Sequence, residues 1–229
     1  MSFPSSVGMP FFKIKKQMGK VLIINGNPKP ESFSKALSQA YAEGYGSQAE
    51  VLHLVDLNFG LDLKFGYDQR TPWEADLQLA YDKIQDADHL VWVFPLWWYG
   101  LPARMKGFID RIFLPGLTFE ITADSPMPKG LLKGRTSDII MTADSPYWYY
   151  RWWMGAPAGR QFKKGTLEFC GVKVLKEVFI GPVKGSKDLK RHQWLEKVRR
   201  LGKKRVQKLP TASKKIMRKA EGKKDTAFS

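Results

Sequence analysis

The stretch Phe94-Pro-Leu-Trp-Trp-Tyr-Gly-Leu-Pro-Ala-Arg-Met-Lys-Gly-Phe-Ile-Asp-Arg-Ile-Phe113 constrains the fold more than any other part of the chain. It closes an apolar run, His89-Leu-Val-Trp-Val-Phe94, whose length and β-rich content suit a buried parallel strand. A loop with three adjacent aromatics follows, Trp97, Trp98 and Tyr99, punctuated by Gly100 and Pro102. Pro102 suits the first turn of a helix. Met105, Phe108, Ile109, Ile112 and Phe113 then recur at helical spacing. Strand, aromatic loop and helix in that order place flat side chains at the carboxyl end of a sheet, where open α/β sheets bind ligands. A flat ring is what such a loop would cover.

The rest of the chain repeats the alternation. Lys20-Val-Leu-Ile-Ile-Asn25 reads as a buried strand, and Gly26 to Ser32 as a turn-rich loop. Ser32 caps a helix to about Tyr45, with Phe33, Leu37, Ala40 and Tyr41 inward. Further strands are expected at 50–55, 136–142 and 172–180. Further helices are expected from Pro72 and Glu74 to Asp86, over 101–113, from about Arg160 to Cys170, and from Lys187 to about Leu209. Residues 114–134 read as one long connection, a length that marks function or mobility. Five strands alternating with helices predict an α/β fold. It is a doubly wound, five-stranded parallel sheet of flavodoxin-like order 2-1-3-4-5, with helices on both faces. The loops 26–34, 95–100 and 142–149 then converge on one edge.

The net charge of +16 belongs to the ends. Residues 1–20 carry four Lys and no acid, residues 184–229 carry 17 basic residues against four acids, and the stretch between is near neutral. The division expected is a basic extension over 1–19, a ligand-binding domain over 20–209 and a basic tail over 210–229. The tail reads first as a solvated arm, second as a contact for anionic membrane, and last as a nucleic-acid contact, since no nucleic-acid fold signature accompanies it. No stretch of 18 consecutive apolar residues suggests a membrane span, and the N-terminus lacks the order of a secretory signal. The lone Cys170, flanked by Leu167, Phe169 and Val172, reads as a buried small hydrophobe and suits a reducing, cytoplasmic setting.

Three loops carry the candidate chemistry. The first holds Asn27, Ser32, Phe33 and Ser34 before a helix N-terminus, a natural phosphate seat, although Ser32 alone also reads as an ordinary cap. It is neither a Walker loop nor a dinucleotide fingerprint. The second, Pro95, Leu96, Trp97, Trp98 and Tyr99, offers rings beside backbone N–H groups. The third, Thr142, Ala143, Asp144, Ser145 and Pro146, offers short polar groups. N–H donors there would steady negative charge on the pyrimidine edge of a reduced flavin. The described cluster contains no metal-ligand pattern.

These residues resemble the NAD(P)H:quinone oxidoreductase family, the DT-diaphorase-like flavoproteins. The 94–113 segment is close to that family's Phe-Pro-Leu-x-Trp-aromatic-Gly-x-Pro-Ala pattern. Ser32-Phe33, Thr142 and Phe169-Cys-Gly171 match further marks, and the resemblance covers about 20–200. It implies FMN or FAD as cofactor, NADPH or NADH as co-substrate, a quinone-like acceptor and a homodimer. Two departures stand out. The family's Thr-Thr-Gly-Gly loop is here Met141-Thr-Ala-Asp144, which puts a carboxylate where negative charge develops. The family's Tyr–His pair has a Tyr counterpart in Tyr149, the one catalytic nominee, but Trp152 to Pro157 contains no His. Arg151 and Arg160 are candidates for a nicotinamide-cofactor phosphate or plain surface charges. The aromatic run 147–154 reads as a dimer face or as a lid over a flat substrate. Rival readings are a one-electron carrier, which rapid NADPH oxidation would exclude, and a regulatory subunit of a membrane cation transporter, which would co-purify with its partner without turnover.

Overall fold

The computed structural model describes residues 19–122 and 128–208. The expected basic extension, apart from Gly19, and the basic tail lie outside the described residues. Five parallel strands form one sheet in the order β2-β1-β3-β6-β7: β1 Val21–Asn25, β2 Ala49–His53, β3 His89–Pro95, β6 Thr136–Thr142 and β7 Lys173–Ile180. That is the expected order. β1 and β3 read as continuous apolar runs because both of their faces are covered. Leu22, Ile24, Leu90, Trp92 and Phe94 face one core with Leu77, Ile84, Phe108 and Phe162. Val21, Ile23, Val91 and Val93 alternate to the other face, where α1 packs. Fully burying side chains of this size stabilises by about 1.5–3 kcal/mol each.

The helices follow from local signals. α1, Phe33–Tyr45, starts at Ser32, which sits in extended backbone while its Oγ accepts from Lys35 N at 3.2 Å. Leu37, Ala40, Tyr41, Gly44 and Tyr45 are its buried stripe. α2, Ala75–Asp86, packs on α3, Ala103–Ile112. α5, Asp188–Lys208, lies along α1. Two glycines allow that approach: a Cβ on Gly44 would stand 2.0 Å from Arg199 O, and one on Gly202 would stand 2.4 Å from Tyr41 O.

Three expectations need adjustment. The connection 114–134 is not structureless: β4, Phe119–Glu120, pairs antiparallel with β5, Lys129–Gly130. Two-residue strands are too short to leave a periodic signal. The second strand stops at His53, and Leu54–Asp56 turn as a 3-10 helix. The helix expected from Arg160 begins earlier, as α4, Pro157–Phe162, because Pro157 occupies the first turn after a left-handed Ala156. It continues as a π-helical stretch over Lys163–Glu168. A second π-helical turn, Tyr149–Trp153, interrupts the aromatic run. Such turns concentrate at functional sites.

Candidate functional site

The carboxyl ends of β1, β3 and β6 deliver Asn25, Pro95 and Thr142 to one edge, and the three expected loops meet there. In the first loop, Asn25 Oδ1 accepts from Asn27 N at 3.1 Å, and Asn27 Oδ1 accepts from Lys29 N at 3.0 Å. Asn27 Nδ2 donates to Ser34 Oγ at 3.3 Å. Asn27 therefore shapes the loop through its own side chain, as turn asparagines do. The loop runs into the N-terminus of α1, whose first turn carries no acid. Its early N–H groups have no partner within the helix, and the dipole favours an anion there. Phe33 leans on Trp194 of α5, ring centroids 6.1 Å apart.

The second loop is strained. Trp97 N donates to Gly100 O at 3.3 Å, and Gly100 N donates back to Trp97 O at 2.9 Å. The two residues between them, Trp98 and Tyr99, have φ of 51° and 57°. This is a tight reversed turn that normally uses Asn-Gly. Holding two bulky aromatics in the left-handed region costs about 1–3 kcal/mol each. Trp98 is fully exposed, and Trp97 is half exposed. Tyr99 is held by rings, with centroids 6.0 Å from Tyr149 and 6.2 Å from Tyr150. Leu96 N donates to Thr142 O at 2.7 Å, which ties this loop to the third.

The third loop is latched to the segment after β7. Ala143 N donates to Ile180 O, and Val183 N donates to Ala143 O, both at 3.0 Å. Asp144 Oδ1 accepts from Lys184 N at 2.7 Å. The carboxylate that departs from the family pattern is thus engaged by the backbone of that segment. Ser145 Oγ is buried without a hydrogen-bond partner, an orphaned group at the loop where a polar ligand edge is expected.

Tyr149, the catalytic nominee, is half-buried beside Tyr99, and its ring stacks on Trp153 at 6.4 Å. Its neighbour Tyr150 has a different role. It is buried, its hydroxyl accepts from Gly159 N at 2.9 Å, and burial pushes its ionisation up. Tyr150 stacks on Phe179 at 5.2 Å and so locks the aromatic turn to β7. Arg151 and Arg160 are exposed. The three histidines stand apart from this loop: His53 meets Asn25, His89 is buried at the other end of the sheet, and His192 bonds Asp188 O. Cys170 is buried as expected, and burial raises its thiol. No cluster of His, Cys, Asp or Glu among the described residues suits a metal.

Sequence reasoning missed two things. The latch 181–187 carried a signal, since Gly181-Pro182 and Gly185-Ser186 mark a turn. Ser145 was read only as one of the third loop's short polar groups, and nothing local signalled that its hydroxyl is buried without a partner. The set as a whole fits a flat phosphorylated cofactor: a helix N-terminus with no acid in its first turn, an aromatic turn with exposed rings, and a buried hydroxyl still lacking a partner.

A family model described as flavodoxin-like fold matches residues 19–202. The chain belongs to this family. Among its relatives, a ribosyldihydronicotinamide dehydrogenase [quinone] from Homo sapiens is 28% identical over 186 residues, covering 68% of this chain and 78% of the relative. An FMN-dependent NADH:quinone oxidoreductase 1 from Mesoplasma florum is 28% identical over 177 residues, covering 73% and 86%. In three dimensions the flavodoxin-like chain matches an NAD(P)H:quinone oxidoreductase from Methanothermobacter marburgensis with a TM-score of 0.68. That match is 24% identical and covers 81% of this chain and 96% of the other, a likeness of fold. Among the described residues no helix is long and apolar enough to cross a membrane.

Proposed function

We propose that this chain is a flavin-dependent NAD(P)H oxidoreductase that passes hydride from a nicotinamide cofactor, via flavin, to a quinone-like acceptor. The observation that carries the reading is the strained turn Trp97–Gly100. It presents exposed rings beside a helix N-terminus whose first turn carries no acid and whose preceding Glu31 is paired with Lys35, in a family whose relatives bear quinone-oxidoreductase names. FMN is the favoured flavin, since the Mesoplasma florum relative is named for it. When bound, the flavin supplies a two-electron relay: hydride leaves the dihydronicotinamide and reaches the acceptor, which with one proton becomes the quinol.

The chain's own residues bind and orient. The first turn of α1, with Ser32, Phe33 and Ser34, holds the phosphate, and Asn27 keeps that loop in shape. Pro95 and Leu96 carry the aromatic turn, and Trp97, Trp98 and Tyr99 cover the ring. Thr142, Ala143 and Ser145 would receive its polar edge, where Ser145 Oγ is buried without a partner in the chain. Asp144 stays with Lys184 and holds the loop. Tyr149 closes the pocket beside Tyr99 and shields it from water. Trp148, Trp152 and Trp153 are 55%, 75% and 76% exposed, an apolar surface that a second copy of the chain would cover in a homodimer.

The deciding experiment is the absorbance spectrum of the purified protein, mass spectrometry of any released cofactor, and NAD(P)H oxidation with a soluble quinone. Bound FMN and rapid quinone-dependent oxidation are the expected result; a colourless protein that neither takes up FMN nor oxidises NAD(P)H overturns the reading. The basic residues 210–229 are proposed to touch anionic membrane on charge alone, and cosedimentation with anionic vesicles at low salt tests that contact.

A further inference from the structure

A concave space of about 770 Å³ lies beside the π-helical turn Tyr149–Trp153, between the third loop and the outer part of β7. Its size is that of a small-molecule pocket. Tyr147, Tyr150 and Phe179 form an apolar wall, with Tyr147 and Phe179 ring centroids 5.3 Å apart. Basic side chains converge on it from four elements. Arg151 comes from the π-helical turn, Arg160, Lys163 and Lys164 from α4 and its continuation, Lys176 from β7, and Lys197 from α5. Glu177 is the single acid among the lining residues, and Lys163 Nζ already bridges it at 3.1 Å. Like charges gathered around a concavity repel one another and focus a positive field into it. An anion with several charges relieves that repulsion.

The pocket also has a direction. Tyr150 forms part of its wall and stacks on Tyr99, 6.2 Å away, so the space begins one ring from the turn assigned to the flavin. A ligand with its reactive head over that turn and a phosphorylated tail in the cleft would fill both. Tyr147, half exposed, offers a ring to a flat base.

We infer that this cleft seats the 2′-phosphoadenosine end of the reduced dinucleotide, so that the chain selects NADPH over NADH. The inference rests on the oxidoreductase reading above and adds the choice of donor. A phosphomonoester contributes about −1.5 to −2 charge at neutral pH, and NADH lacks that group. Arg160 and Lys164, four residues apart on one helical face, are the side chains assigned to it. Glu177 opposes it.

Calorimetric titration of the full-length protein with adenosine 2′,5′-bisphosphate and adenosine 5′-monophosphate tests this without turnover. The bisphosphate is expected to bind at least tenfold tighter at low salt. Arg160→Ala and Lys164→Ala should each weaken it about tenfold, the scale of one charged hydrogen bond. Glu177→Gln should strengthen it severalfold, a gain that a merely structural role would not produce. Arg160 and Lys164 are exposed, so both variants should keep the parent's unfolding midpoint. In steady state, KM for NADPH should rise in the two alanine variants with kcat unchanged. KM for ribosyldihydronicotinamide, a donor without phosphates or adenine, should not move. Equal binding of the two nucleotides, or bisphosphate affinity unmoved by these substitutions, overturns the inference. Quinone reduction that treats NADH, NADPH and the riboside alike removes the cleft's role and leaves the oxidoreductase reading standing. Absence of quinone reduction with every donor removes both.

Discussion

The two ends of the sheet are built on opposite terms. β3 and β6 run side by side from His89 and Thr136 at one end to Pro95 and Thr142 at the other. At the amino end a set of buried polar side chains pairs with itself. Asp138 accepts from Tyr41 Oη at 3.0 Å and from Arg205 Nε and Nη2 at 2.8 and 2.6 Å. His89 stands 3.4 Å from the same carboxylate and meets Thr136 Oγ1 at 2.7 Å. All of these but Thr136 are buried. At the carboxyl end two aromatics sit in left-handed backbone, Trp98 lies in solvent, and Ser145 Oγ has no partner. Strain and orphaned groups persist only where the surrounding structure over-determines them. The closed end and the shared strands supply that support, which leaves the open end free to be shaped for a ligand.

The contrast can be broken hardest at Asp138. Asp138→Ala strands Arg205 and His89 in the interior and should cost about 3–5 kcal/mol of unfolding free energy. Denaturant titration measures this, and a loss under 1 kcal/mol would show that the amino end is not the anchor. The same carboxylate sets an acid limit. Burial pushes its ionisation up, but the hydrogen bonds and charge of His89 and Arg205 outweigh that and hold it below the usual aspartate range. Its folded value is thus depressed, so its contribution is complete above about pH 3.9, the unfolded value, and is lost as pH falls through the folded one. Stability measured from pH 5 downward should fall less steeply in Asp138→Asn than in the parent.

The open end is sharpened by a substitution with opposite effects on stability and binding. Trp98→Gly removes a stacking ring, worth about 1–3 kcal/mol of flavin affinity on the scale of base–aromatic stacking. It also relaxes left-handed strain, so the flavin-free protein should gain about 1 kcal/mol after the entropy that glycine adds to the unfolded chain. Flavin titration and thermal unfolding of one variant report both. A variant less stable and equally avid would mean that the turn is held for packing alone.

The smallest effect is expected at the helix cap. Ser32→Ala should lose about 1 kcal/mol of stability through the missing bond to Lys35 N. Denaturant midpoints resolve it.

The sequence revealed these two ends unequally. β1 and β3 were legible because strands covered on both faces read as unbroken apolar runs. The aromatic turn was legible because Gly100 and Pro102 frame it. The closed end was silent: Tyr41, His89, Asp138 and Arg205 are spread over the chain, and no local period joins a helix residue to two strands and a second helix. The engagement of Asp144 by Lys184 N was also invisible, because it depends on a backbone group some 40 residues away. The hairpin of β4 and β5 was too short to show, and the π-helical turns use the same residues as ordinary helix.

The glycine contact between α1 and α5 has a mechanical consequence. α5 has 21 residues and is therefore a rod about 31 Å long. Gly44 and Gly202 set its clearance from its midpoint into its C-terminal half, where a methyl group at position 44 would have to drive the Arg199 carbonyl back from 2.0 Å. Toward its N-terminus the rod carries Trp194 against Phe33. A stiff rod moved at its fulcrum moves at its tip, so two missing side chains at the closed end set the tolerance to which the far loops are assembled. Position 44 is thus a handle for adjusting the ligand end from a distance, with every residue of that end left in place.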